Sequence, residues 1–217
     1  VLVVGASSGL GSVAAQCLAA DGYIVYAAAR SFANGAEPPT GCRALALDVS
    51  AADSVHAAVD AVLREQGRVD ALVCCAASFT MSPMEELPID ILADMMNVNF
   101  LGMARCVQAV MPAMRAQKSG HIVLFSSLNG LFSIPFQGAY SATKHAVEAY
   151  GEALAQETLG MGIHVTVVEP GDCRGGSQKY RRVYLNENSP YAAAFEHGTA
   201  KIHHDETNGL PPERVGY

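Results

Sequence analysis

Apolar and polar positions along the 217-residue chain follow two rhythms. Short apolar runs bounded by Gly, Pro, Asn or Asp mark strands, and stretches with apolar residues three and four apart mark helices. Val1-Leu2-Val3-Val4 is the first run, and it gives way at once to Gly5, Gly9 and Gly11 and a small-residue helix through Ala20. Tyr23 to Ala29 reads as a second strand, followed by the turn-rich segment Ala33 to Gly41 with Asn34-Gly35 and Pro38-Pro39. A third strand covers Cys42 to Val49, and Ser50-Ala51-Ala52-Asp53 reads as a cap for a helix through Gln66. Val69 to Cys75 is the fourth strand. A short helix is expected in the Pro83 to Leu92 region and a long one over about Asp94 to Gln117. His121 to Ser126 is the fifth strand, about Gly138 to Gly160 the next helix, and Ile163 to Val168 the sixth strand, stopped by Pro170-Gly171.

Strands alternating with helices imply a parallel sheet covered on both faces. Right-handed crossovers then give the strand order 3-2-1-4-5-6, an α/β, Rossmann-type doubly wound fold with its ligand crevice at the carboxyl ends of the strands. Half of the residues are apolar, enough for one substantial core, so residues 1–217 are expected to form a single domain.

A net charge of −7 without a basic run argues against a nucleic-acid surface. Apolar stretches are too short for a membrane span, and the glycine-broken start lacks the basic region of a secretory signal, so a cytoplasmic protein is expected. The six cysteines include no Cys-x-x-Cys pair and sit mostly within predicted elements, which suits reduced core thiols. His203-His204 reads as a solvated loop pair, and no metal is expected.

Two groups of residues carry chemistry. Strand, glycines and helix occur in the order a dinucleotide site needs. Gly5 allows the tight turn, Gly9 lets a pyrophosphate approach the backbone, and Gly11 lets the helix pack on the sheet. Ser7, Ser8 and Leu10 complete that turn, and the helix N-terminus supplies free N–H groups and its positive dipole end. Tyr140 and Lys144 lie four apart, hence on one helical face. A positive charge at 4 Å is worth about 4 kcal/mol at an effective dielectric of 20, or roughly three pKa units, enough to bring a phenol towards physiological pH.

Gly-x-x-x-Gly-x-Gly together with Tyr140-x-x-x-Lys144 resembles the compact branch of the short-chain dehydrogenase/reductase family, from Val1 to about Cys173. The resemblance implies a nicotinamide-dependent oxidoreductase with a carbonyl or secondary-alcohol substrate. It also assigns roles. Ser127, thirteen residues before Tyr140, would bind the substrate oxygen, with Ser126 as the backup. Tyr140 would exchange the proton, and Lys144 would lower the tyrosine pKa and hold the nicotinamide ribose. Asn99, with Asn97 as the weaker choice, would hold a water linking the lysine to solvent. Asp48 resembles the aspartate that contacts the adenine, and Val49, Cys75, Ala76, Pro170 and Gly171 fall at cofactor-lining positions.

The second strand ends Ala28-Ala29-Arg30-Ser31 without a carboxylate for the 2′-hydroxyl. Arg30, helped by Ser8, suits a 2′-phosphate, so NADP is favoured with NAD as the alternative. Two departures stand out. Cys74-Cys75-Ala76-Ala77 replaces the family's Asn-Asn-Ala-Gly, and Gly175 stands where a serine or threonine usually touches the nicotinamide amide.

Leu128, Asn129, Phe136 and Gln137 are the expected substrate contacts, and Ser133 to Tyr140 is similar to the hydroxysteroid and retinol dehydrogenase neighbourhood and to bacterial carbonyl reductases. Residues 174–209 are expected to form a substrate loop and lid offering Tyr180, Arg181, Arg182, Tyr184, Tyr191 and Phe195. Pro211-Pro212-Glu213 reads as a helix start. In the family that helix leads to a seventh strand, so a fragment lacking the last helix and strand is expected. The two long helices imply a homodimer or homotetramer. A catalytically weak nicotinamide-binding regulator is the competing reading, and a pure interaction module would not require this polar group at a crevice.

Overall fold

The computed structural model describes residues 1–174, 177 and 180–215. Its centre is a six-stranded parallel sheet built from β1 (Leu2–Val4), β2 (Tyr26–Ala29), β3 (Arg43–Ala46), β4 (Ala71–Cys74), β6 (Gly120–Phe125) and β7 (Ile163–Val168). The spatial order is β3-β2-β1-β4-β6-β7, the expected doubly wound order once the extra short strand β5 (Phe79–Met81) is set aside.

Period-two alternation assigns the strand residues to the two faces. Leu2 and Val4 join the larger core with α2 (Ala52–Gln66), α4 (Gly102–Gln117) and α5 (Gly138–Glu157), while Val3 joins Ala15 of α1 (Gly9–Ala20) on the opposite face. Leu72, Ile122 and Leu124 are essentially without exposed surface; truncating any of them to Ala is expected to cost about 2–5 kcal/mol.

Several boundaries differ from the sequence expectation for identifiable reasons. Tyr23 and Ile24 are exposed, so β2 begins only at Tyr26. The expected Ser50–Asp53 cap is absent: Ala51 is the capping residue, and Ser50 turns its amide (2.9 Å) and hydroxyl (2.6 Å) to the Asp48 carboxylate instead. The short helix begins at Ile89, as α3 (Ile89–Met96), and runs into α4 through a widened turn at Asn97–Leu101 whose hydrogen bonds span five residues. α5 ends at Glu157, where Thr158 returns its hydroxyl to the Leu154 carbonyl and Gly160 and Gly162 take positive φ.

Residues 180–209 hold regular elements rather than a plain loop. β8 (Arg181–Val183) pairs in parallel with β5, and α6 (Ala192–Thr207) follows. His203 and His204 therefore sit on a helix rather than in a loop, both exposed. Pro212–Arg214 forms the expected helical turn.

Candidate active site

The strand ends of β1, β4, β6 and β7 open onto a cleft of about 990 Å³. On one side lies the glycine turn. Gly5 (φ +85°) and Gly9 (φ +56°) occupy left-handed backbone, and a Cβ on Gly5 would fall 2.5 Å from the Ala76 amide nitrogen. A Cβ on Gly11 would strike the Gly5 carbonyl. Bare backbone is thus required where α1 meets β1 and β4. Ser8 makes no side-chain cap, so the first-turn N–H groups of α1 face the cleft uncapped.

Ser7, Ser8, Leu10, Arg30, Ser31, Asp48, Val49, Cys75, Ala76, Pro170 and Gly171 all line this cleft. The Ser50 hydroxyl holds the Asp48 carboxyl below its ordinary value against burial, with Arg30 adding to the effect. Burial pushes the Cys75 thiol up to about 12, which leaves it neutral and poorly nucleophilic. Ser31, which sequence reasoning passed over, keeps its hydroxyl buried with no hydrogen-bond partner among the described residues. The uncapped helix start, the bare-backbone cradle and this orphaned hydroxyl beside Arg30 fit a dinucleotide.

The opposite side holds the polar group. Ser127 follows β6 in extended backbone (φ −171°); its hydroxyl accepts from the Asn129 amide (3.2 Å), and both Ser127 and Tyr140 line the cleft. Ser126, the backup candidate, is buried and reaches only the Lys144 carbonyl, at 3.5 Å. Lys144 Nζ lies 5.4 Å from the Tyr140 ring centroid and donates to the Phe125 carbonyl at 2.7 Å.

Burial dominates both groups. It drives the Tyr140 phenol up, with the Tyr180 phenol adding and Ser127 opposing. It lowers the Lys144 ammonium to about 8, against upward pulls from Cys75, Glu148 and Cys74. The simple expectation of a phenol lowered by Lys144 omitted this desolvation.

Asn99 is buried and held by its neighbours. Its Oδ1 accepts from the Ser78 amide (2.6 Å), and Nδ2 donates to the Ser78 carbonyl (2.9 Å) and to Thr143 Oγ1 (3.1 Å), which in turn donates to the Tyr140 carbonyl (2.7 Å). Both amide hydrogens are committed. Asn99 braces the β4–β5 connection against α5. Asn97 accepts from Arg105 (2.9 Å).

Leu128, Asn129, Phe136 and Gln137 line the cleft as expected. Asn129 and Gln137 are buried, however, and joined amide to amide (2.9 Å), so they fix the turn rather than present free polar groups. Phe136 is held at φ +66°, its carbonyl accepting from the Ser82 amide (2.9 Å) and its ring 5.1 Å from that of Phe195. It also packs under Gly198 of α6, where a Cβ would sit 3.1 Å from the ring.

Sequence reasoning missed Phe79, whose ring centroid lies 4.6 Å from that of Tyr140, and Ile202 of α6 in the same apolar cluster. Neither position carried a local signal, because β5 and α6 reach the site only through tertiary packing. Most polar lid residues tie the lid down. Arg181 forms a buried ion pair with Glu206 (3.1 Å), and Tyr191 donates to Glu85 (2.6 Å). Tyr184 packs with the Leu87–Met95–Ala139 cluster, and Tyr180 lines the cleft. Gly175 lies outside the described residues.

A nucleotide cradle facing a Ser–Tyr–Lys group agrees with what comparison finds. The profile described as short chain dehydrogenase matches residues 1–183. The chain belongs to the short-chain dehydrogenase family. It is 38% identical over its whole length to the 3-ketodihydrosphingosine reductase of Bacteroides thetaiotaomicron, spanning 80% of that protein. It is 36% identical, over 79% of its length, to human 17-beta-hydroxysteroid dehydrogenase type 1, spanning 56% of that protein.

Among solved structures, a short-chain dehydrogenase from Streptomyces avermitilis superposes with a TM-score of 0.84 at 32% identity, over 99% of this chain and 80% of that one. As a member of the short-chain dehydrogenase family, the protein is an NAD(P)-dependent oxidoreductase acting on alcohols and carbonyls. No helix among the described residues is long and apolar enough to cross a membrane.

Proposed function

We propose that the protein interconverts a ketone and a secondary alcohol on a largely apolar skeleton, with NADP(H) preferred and Tyr140 as the acid–base. Ser127, Tyr140 and Lys144 brought together at one cleft, with the lysine beside the tyrosine ring, carry this reading. The nicotinamide cofactor, when bound, supplies or accepts the hydride. Ser127 and Tyr140 polarise the substrate oxygen, Tyr140 donates or takes its proton, and the Lys144 ammonium favours the phenolate that forms. Gly5, Gly9, Gly11 and the start of α1 hold the phosphates, and Lys144 holds the nicotinamide ribose. Asn99 supports this group through Thr143 and the α5 backbone.

Arg30 and the unpartnered Ser31 hydroxyl, without a carboxylate at the end of β2, support 2′-phosphate recognition. Phe79, Phe132, Ile134, Phe136 and Ile202 give the substrate end of the cleft an apolar wall. That wall suits a long or flat apolar body, and the Bacteroides relative makes 3-ketodihydrosphingosine the first substrate to test. The 36% identity to 17-beta-hydroxysteroid dehydrogenase type 1 supports a steroid ketone as the second reading.

The deciding experiment follows NADPH consumption with 3-ketodihydrosphingosine, with estrone and with short polar ketones. Turnover confined to short polar ketones would overturn the apolar-substrate reading. We further propose a homodimer or homotetramer assembled through α4 and α5, to be checked by sedimentation.

A further inference from the structure

Glu148 stands on α5 one helical turn beyond Lys144, on the same face. Its Oε1 is buried and has no hydrogen-bond partner among the described residues, an arrangement that costs free energy unless it serves a purpose. The carboxylate lies beneath the turn that presents Ser127. A Cβ added to Gly130 would fall 2.8 Å from Glu148 Oε1 and 2.5 Å from Ser126 Oγ, so both polar groups converge where residue 130 has no side chain. The lysine itself is 3% exposed and has one protein acceptor, the Phe125 carbonyl.

Titratable groups reach Lys144 from two elements: Cys74 and Cys75 at the end of β4, and Tyr140 and Glu148 on α5 itself. Tyr180 acts on Tyr140 from the lid side. Both thiols stay protonated at neutral pH: burial pushes Cys75 up to about 12, and a hydrogen bond with Cys106, with burial adding, holds Cys74 well above its ordinary value. Glu148 is therefore the one carboxylate acting on the ammonium among the described residues.

We propose that Glu148 is a positioning residue for the Tyr140–Lys144 pair, its half-buried carboxylate holding the ammonium in the protonated form that the acid–base step requires. This inference rests on the catalytic reading given above. Because Tyr140 and Lys144 are coupled, the observable is the pH at which the pair as a whole loses a proton. Removing a nearby negative charge makes that proton leave at lower pH, whichever of the two groups carries it.

Two variants remove the charge: Glu148→Gln keeps the shape, and Glu148→Leu also removes the orphaned oxygen, a change that need not destabilise the fold. Profiles of kcat against pH are measured in both directions with NADPH or NADP⁺, alongside Glu148→Asp and Tyr140→Phe. The falling limb of reduction and the rising limb of oxidation are both expected to move to lower pH by ~0.5 unit or more in the Gln and Leu variants. They should stay near the wild-type position in Glu148→Asp.

A purely structural role would lower Tm or scale kcat without moving either limb. That result, with Tyr140→Phe inactive, overturns the role of Glu148 while leaving the catalytic reading intact. An active Tyr140→Phe enzyme overturns the catalytic reading itself, and this inference with it.

Discussion

Phe79 and Tyr140 pack ring to ring, their centroids 4.6 Å apart and their planes at 49°. Phe79 comes from β5, a strand that pairs only with β8 of the lid, and Tyr140 from the first turn of α5. The contact therefore fixes the reacting phenol from the side opposite its own helix. Phe79→Ala is expected to destabilise the protein by about 3–5 kcal/mol through the cavity left behind. It should also lower kcat by about tenfold, since loss of a fixed orientation weakens the proton-transfer geometry. Thermal unfolding together with steady-state kinetics checks both, and an unchanged kcat would show that Phe79 only fills space.

Tyr140→Phe removes the proton donor while preserving the ring and its packing. Turnover is expected to fall by at least ~10³-fold with cofactor affinity nearly unchanged, whereas Ser127→Ala leaves the phenol in place and should cost ~10²-fold. Stopped-flow kinetics and cofactor fluorescence separate the two effects. A Tyr140→Phe enzyme retaining more than a few per cent of its activity would exclude this residue as the acid.

Arg30→Glu reverses the charge at the adenosine end of the cleft. The ratio of kcat/KM for NADPH over NADH is expected to fall by ~10²-fold or more, as a charge-assisted phosphate contact becomes a repulsion. Ser31→Ala should lower the same ratio less. Equal effects of Arg30→Glu on both cofactors would remove it from the 2′-phosphate site.

Lys144 links pH to stability with a definite sign. Its ordinary value of 10.5 is lowered to about 8 in the fold, chiefly by burial. Below pH 8 both folded and unfolded chains carry the proton, and the folded chain bears the full penalty of about 3 kcal/mol. As pH rises from 8 to 10.5 the folded state sheds its proton first and the penalty fades. Lys144→Met should therefore be more stable than the wild type at pH 7, by an amount that shrinks steadily up to pH 10.5. Denaturant titrations of both proteins across that range measure this directly, and a constant difference would sink the idea.

The sheet order was legible because each βα unit is a local pattern, an apolar run followed by an amphipathic helix. The glycine cradle and the Tyr140–Lys144 spacing were readable for the same reason: each lies within a single turn or helix. What escaped the sequence is non-local. Residues 79–81 and 181–183 are too short to signal a strand and exist as one only by pairing with each other.

Arg181 was expected as a residue offered by the lid to the substrate, yet it pairs with Glu206, a partner that no spacing rule foretells. Asn99 was rightly singled out as an amide in need of partners. Ser78 and Thr143, the partners it finds, lie on separate segments that no local pattern joins.

Gly198 sets the height of the roof over the substrate. A glycine in mid-helix sacrifices about 1 kcal/mol relative to alanine. At this position one missing methyl lets α6 settle onto the Phe136 ring, where an added carbon would come within 3.1 Å. The ceiling is thus lowered by subtraction, and Gly198→Ala, the smallest possible enlargement, would require the ring or the helix to yield by a few tenths of an ångström.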